Sequence, residues 1–213
     1  MTVVDYGMGN VFSVRRAFEH CGARVCLSAD PERILATRRL VLPGVGAFAD
    51  GMRELRERGL VEPLREFARR GGHFLGICLG MQMMFDASEE FGVHEGLGLI
   101  PGRVRPIPTV GPSGRSHKVP HIGWSDLRKP DASYGWTATL LDGIDEGTSV
   151  YFVHSYTARP EDDRHRLADC DYDGIRISAV VRAGNLYGCQ FHPEKSGETG
   201  LTVIRSFLAQ RAE

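Results

Sequence analysis

The first half of the chain alternates short apolar runs with apolar residues recurring every three or four positions. The run at 2–4 (TVV) predicts a strand, and Val11, Val14 and Phe18 then repeat at helical spacing behind Asn10, a natural helix cap. Residues 24–28 (RVCLS) and 39–43 (RLVLP) read as further strands, the second followed by the loop GVGAF. Phe48, Met52 and Leu55 predict a helix, residues 73–78 (HFLGIC) a buried strand, and a new helix is expected to begin around Gly80. This rhythm predicts an α/β fold in which a mostly parallel central sheet is covered by helices on both faces.

The second half changes character. From about residue 95 to 135 glycine, proline and serine are frequent and helical periodicity disappears. Residues 149–156 (SVYFVHSY), 175–183 (IRISAVVRA) and 185–191 (NLYGCQF) read as strands, the last two joined by a turn at Gly184 and Asn185, which predicts a mixed or antiparallel β portion. Leu201, Ile204, Phe207 and Leu208 mark a closing helix. No repeat or long linker interrupts residues 1–213, so one domain is expected.

Composition narrows the partners. A net charge of −1 without a basic cluster argues against nucleic acid. No apolar run approaches the roughly 20 residues that cross a bilayer, and MTVVDYGMGN lacks the charged and apolar regions of a signal peptide. Five cysteines form an odd set without a CxxC pair, which argues against a disulfide framework or a Cys-rich zinc site and for a reducing cytoplasm. Neither a metal-binding H-E-x-x-H pattern nor a nucleotide-binding glycine loop occurs, so no metal and no cofactor are expected.

The segment 75–82, LGICLGMQ, carries the chemistry. A side chain held between a buried strand and a helix needs a sharp turn, with small residues two positions to either side. Gly76-Ile77-Cys78-Leu79-Gly80 has that form, with cysteine where related elbows place serine. The helix that follows would favour the Cys78 thiolate, and the backbone N–H of Leu79 would face a developing oxyanion. A thiolate enzyme also needs a base. The segment 190–196 (QFHPEKS) offers His192, held extended by Pro193, so that Glu194 two residues on is expected to project to the same side and orient its ring. His121 and His154 are rival bases, but neither has a carboxylate two residues away.

GICLGMQ together with QFHPEKS resembles class I glutamine amidotransferases, whose Cys-His-Glu triad hydrolyses the glutamine side-chain amide. DYGMGN, LPGVGAF, VPHIGW and YFVHSY make the chain similar to glutaminase subunits of imidazole glycerol phosphate synthases, from Asp5 to about Phe207. The resemblance implies the three-layer amidotransferase fold. It implies Cys78 as nucleophile, His192 as base then acid, and Glu194 as its orienter. It implies an oxyanion hole built from the backbone of Leu79, Gly44 and Val45, the latter pair after a peptide flip. Gly46, Gln82, Glu90, Ser155 and Tyr156 would line the pocket for L-glutamine, with Glu90 meeting the substrate ammonium. Ammonia would pass to a cyclase subunit, a (β/α)8 barrel, within a heterodimer that forms imidazole glycerol phosphate and aminoimidazole carboxamide ribotide. Tyr6, Met8, Asn10, Trp124 and Tyr151 are expected to face that partner. Glutaminase components for anthranilate or aminodeoxychorismate usually differ in the oxyanion segment and lack PHIGW. The presence of all three triad residue types argues against a silent interaction subunit.

Overall fold

The computed structural model describes residues 1–131 and 135–210. Its first half runs β1 (Thr2–Val4), α1 (Val11–His20), β2 (Cys26–Ser28), α2 (Pro31–Ala36), β3 (Arg39–Gly44), α3 (Phe48–Glu57), α4 (Val61–Arg69), β4 (His73–Cys78) and α5 (Leu79–Met83). Then come β5 (Phe85–Ser88), β6 (His94–Glu95), β7 (Ile100–Pro106), β8 (His121–Asp126), β9 (Ser149–His154) and β10 (Tyr156–Pro160). The chain closes through β11 (Arg166–Tyr172), β12 (Ile175–Ala183), β13 (Leu186–Cys189) and α6 (Gly197–Ala209).

The main sheet has seven strands in the order β11-β12-β13-β4-β3-β1-β2. Five are mutually parallel, from β13 to β2, whereas β12 and β11 add antiparallel to the other edge. Side-chain alternation sends neighbouring residues into two different cores. Val3, Val41 and Leu75 join Val14 and Phe18 of α1 and Val203, Ile204 and Phe207 of α6 on one face. Val4, Leu40, Leu42 and Phe74 join Ile34 of α2, Met52 and Leu55 of α3 and Leu64 of α4 on the other. A sheet covered on both faces explains why all six residues of β4 are buried.

The expected strands and helices are present, with altered limits. The first helix is capped as expected, Ser13 N donating to Asn10 Oδ1 at 3.1 Å. The strand expected at 24–28 is confined to Cys26–Ser28. The one expected over 149–156 breaks at Ser155, where the chain leaves a two-stranded ladder (β8-β9) for a four-stranded sheet (β10-β7-β5-β6). The elbow helix begins at Leu79 and has 5 residues, so its dipole is that of little more than one turn. Helices α2 and α4 were not legible in the apolar spacing; α2 is set instead by Asp30, whose carboxylate accepts from Glu32 N, with Pro31 in the first turn. The segment 130–148 matches no motif and falls partly outside the described residues, at 132–134. Its described part adds Trp136, Leu140 and Leu141 to the core, the Trp136 indole donating to Leu167 O at 2.9 Å.

Candidate active site

Strand β4 ends on Cys78, whose φ of 53° and ψ of −110° turn the chain sharply into α5. The left-handed region is costly for a residue with a Cβ, and such strain persists where surrounding structure imposes it. Two close approaches impose it here. A Cβ at Gly76 would lie 2.7 Å from Gly80 O, and one at Gly80 would lie 1.8 Å from Leu42 O in β3. The glycines flanking Cys78 therefore let the elbow fold back on its own strand and on the neighbouring one.

His192 lies just beyond β13, the strand beside β4, so parallel pairing brings the two distant segments to the same sheet end. Pro193 holds His192 extended (φ −97°, ψ 100°), and a 3-10 turn over Pro193–Lys195 swings Glu194 back. The His192–Glu194 contact is thus made through a turn, and not by the side-by-side projection of an extended segment. His192 Nδ1 stands 2.8 Å from Glu194 Oε1, with both side chains almost wholly buried. The accepting carboxylate places the imidazole proton on Nδ1 and leaves Nε2 directed elsewhere; Nε2 has no hydrogen-bond partner among the described residues. Burial opposes charge on the ring, but Cys78 and Glu194 outweigh it and raise His192 to about 9. By contrast, burial pushes the thiols of Cys170 and Cys189 far above their usual range, reinforced by the carboxylates of Asp169 and Asp171 at the first and of Glu194 at the second.

Cys78 and His192 open on a cleft of about 300 Å³ that also exposes Val45, Gly46, Leu79, Gln82, Glu90, Ser155 and Tyr156. The structure therefore brings every sequence-predicted pocket residue to one place. Glu194 stands behind His192, and Gly44, paired in register with Cys78 at the end of β3, stands behind Val45. Glu90 has a task that the sequence did not suggest. Its Oε2 accepts from Phe48 N at 2.6 Å, capping α3, whose own cap position Ala47 has no side chain to do so.

Gln190 was missed as a site residue, although a lone amide between Cys189 and Phe191, at a buried strand end, is a signal for one. It accepts from Gln82 Nε2 at 3.0 Å and presents its own Nε2 to Cys78 Sγ at 3.8 Å. Neither rival histidine faces the sulfur as a free base. His154 lines the cleft, but both its nitrogens are engaged, by Tyr156 O and by His121.

Of the residues expected to face a partner, Trp124 is 58% exposed, Asn10 is exposed, and Met8 and Tyr151 are half-buried. Trp124 packs edge-on against Tyr151, with ring centroids 6.0 Å apart. Tyr6 must be withdrawn from this group. It is fully buried, and its hydroxyl donates to Pro43 O at 2.9 Å, bracing the turn out of β3 from beneath.

Among the described residues no group of His, Cys, Asp and Glu side chains could hold a metal ion, and no helix is long and apolar enough to cross a membrane. A family model of class I glutamine amidotransferases matches residues 2–210. The chain is 54% identical, over 98% of its own length and 98% of the relative's, to imidazole glycerol phosphate synthase subunit HisH 1 of Legionella pneumophila. It is 47% identical to subunit HisH of Geobacillus thermodenitrificans (97% and 93% covered) and 42% identical to that of Geobacter sulfurreducens (97% of each). Among solved structures, PurLQS from Thermotoga maritima shares the fold at a TM-score of 0.71 and 24% identity, covering 97% of this chain and 96% of that one. The chain belongs to the class I glutamine amidotransferases.

Proposed function

We propose that this chain is the glutaminase subunit of an imidazole glycerol phosphate synthase in histidine biosynthesis, one amidotransferase domain working in the cytoplasm. The observation that carries the reading is the meeting of Cys78, His192 and Glu194 at one sheet end, in a cleft rimmed by the residues expected to hold glutamine. With the thiol proton taken by His192, the Cys78 sulfur attacks the side-chain carbonyl carbon, and the oxyanion is held by the N–H of Leu79 and, after the loop turns, by the Gly44–Val45 peptide. His192, as imidazolium, protonates the leaving nitrogen, so ammonia departs and a thioester remains. Water then attacks the thioester with His192 as base, releasing glutamate and restoring Cys78. Glu194 keeps the ring in the productive tautomer. The ammonia passes to a cyclase subunit, a (β/α)8 barrel bound as a heterodimer. Similarity to the HisH subunits over nearly the whole chain supports that partner.

Mixing the pure chain with the cyclase, the cyclase's substrate and glutamine tests the reading. Glutamate is expected to appear together with imidazole glycerol phosphate, and a complete mixture that releases none would sink the proposal. The rate should also fall as pH rises through about 9, where His192 loses the proton it must donate. The same group gives a stability term of matching sign. Its folded pKa lies above its ordinary value, so that contribution is complete below about 6.5 and is lost as pH rises through about 9.

Glu90→Gln separates binding from bond breaking. Glutamine at this position keeps an acceptor for Phe48 N but loses the charge that would pair with the substrate ammonium. A charge-assisted contact is worth roughly 1.5–3 kcal/mol. The KM for glutamine should therefore rise about tenfold or more, with kcat little changed. An unchanged KM would leave Glu90 as a helix cap alone.

A further inference from the structure

Two histidines outside the catalytic group are joined in a chain whose polarity can be worked out atom by atom. His121 of β8 and His154 of β9 are register partners, and both are nearly fully buried. His154 Nδ1 lies 2.8 Å from Tyr156 O. A carbonyl can only accept, so this nitrogen carries the proton and His154 Nε2 offers a lone pair. His121 Nδ1, 3.0 Å away, must then donate to it. His121 Nε2 becomes an acceptor, and Ser125 Oγ at 2.9 Å donates to it. Every position has one proton and one direction, from Ser125 through both rings to Tyr156 O. The neutral rings this requires agree with burial, which lowers His121 to about 4 and His154 to about 3.

The chain ends on the wall of the cleft. Tyr156 O also accepts from Gln82 Nε2 at 3.0 Å, and Gln82 leads through Gln190 to Cys78 Sγ. The His154–Tyr156 bond spans the bend at Ser155, where the backbone passes between sheets and Ser155 O accepts from Ile107 N at 2.9 Å. Tyr172 and Phe152 stack on His121 with centroids 4.0 and 4.9 Å from its ring, fixing the donor that orients His154.

We propose that His121 and His154 are positioning residues for glutamine hydrolysis, holding the Ser155–Tyr156 wall of the cleft through one directional hydrogen-bond chain that begins at Ser125. The inference rests on the glutaminase reading for the identity of the ligand. His121→Phe keeps the stacked ring but removes both nitrogens, leaving a buried acceptor on His154 unpaired. In the complex with the cyclase, this variant should raise the KM for glutamine about tenfold while kcat stays within about threefold. His121→Asn, whose amide nitrogen can stand near the Nδ1 position, should recover most of the loss. A wild-type KM in His121→Phe, or a fall in kcat with KM unchanged, would overturn the proposal. Nitrogen-15 NMR of the wild-type protein at neutral pH supplies an arm that needs neither a variant nor turnover. Both rings should be neutral and protonated at Nδ1, and an Nε2-protonated or charged ring at either position would overturn the proposal. A wild-type complex that does not hydrolyse glutamine would instead refute the glutaminase reading, whatever the tautomers.

Discussion

Replacing Cys78 by alanine is expected to abolish glutamate release from glutamine while leaving ammonia-dependent synthesis by the partner intact. In the proposed mechanism the sulfur forms the bond that divides the reaction into two steps. His154, whose imidazole also lines the cleft, spends both nitrogens on Tyr156 O and His121. Loss of a nucleophile from a triad costs a factor of about 10⁶ in turnover. Alanine occupies less space than cysteine and meets the same positive φ, so the elbow should keep its shape. The comparison that decides is synthesis from glutamine against synthesis from ammonium salts by the same complex. If Cys78→Ala hydrolyses glutamine at anything near the wild-type rate, the nucleophile has been misassigned. Glu194→Gln should be milder, because it leaves the attacking atom in place and removes only the charge that orients and stabilises the His192 imidazolium.

How much of this was legible before the structure depended on how local each cause is. The elbow could be read because its signature lies within five residues, Gly76 to Gly80, even though one of the close approaches it serves, Gly80 against Leu42 O, is to another strand. The β13–β4 pairing that carries His192 to Cys78 joins segments far apart in sequence, and spacing alone could not establish it; the motif resemblance supplied the link. Tyr6 misled because an aromatic residue in a glycine-rich loop looks like surface, whereas the fold closes over it beneath Pro43. Strand β7 went unread although Ile100, Gly102 and Val104 alternate inward, because glycine and proline mask the period of two. The capping role of Glu90 depends on α3, more than forty residues earlier, lacking a side-chain cap of its own. Local turn chemistry and strand burial are written in neighbouring residues; the tertiary partners of polar groups are not.

The glutaminase is expected to stay nearly silent alone and to fire only when the cyclase is docked with its substrate. A free hydrolase would release ammonia to solvent, so the second oxyanion donor is the natural place to hold back the rate. The structure offers a path by which docking can reach it. Loop 44–47 leaves β3 beside Cys78, with Val45 43% exposed and Gly46 at a φ of 102°. The DYGMGN loop lies against it: a Cβ on Gly46 would come within 3.2 Å of the Met8 methyl, and one on Gly9 within 3.3 Å of Gly44 Cα. A partner that seats on Met8 therefore bears on the residues that the proposed flip would move. If the competent loop state is populated to about 1% in the free chain, full conversion raises the rate about a hundredfold. Glutamate release should climb by about that factor when cyclase and its substrate are added together, and less with cyclase alone. Trp124→Ala should weaken the complex about tenfold or more, as loss of a central interface aromatic does, while the isolated chain keeps its fold because this side chain is largely in solvent. A lone chain already hydrolysing glutamine at the full rate of the complex would refute the gating, and Trp124→Ala binding and activating like wild type would place the docking face elsewhere.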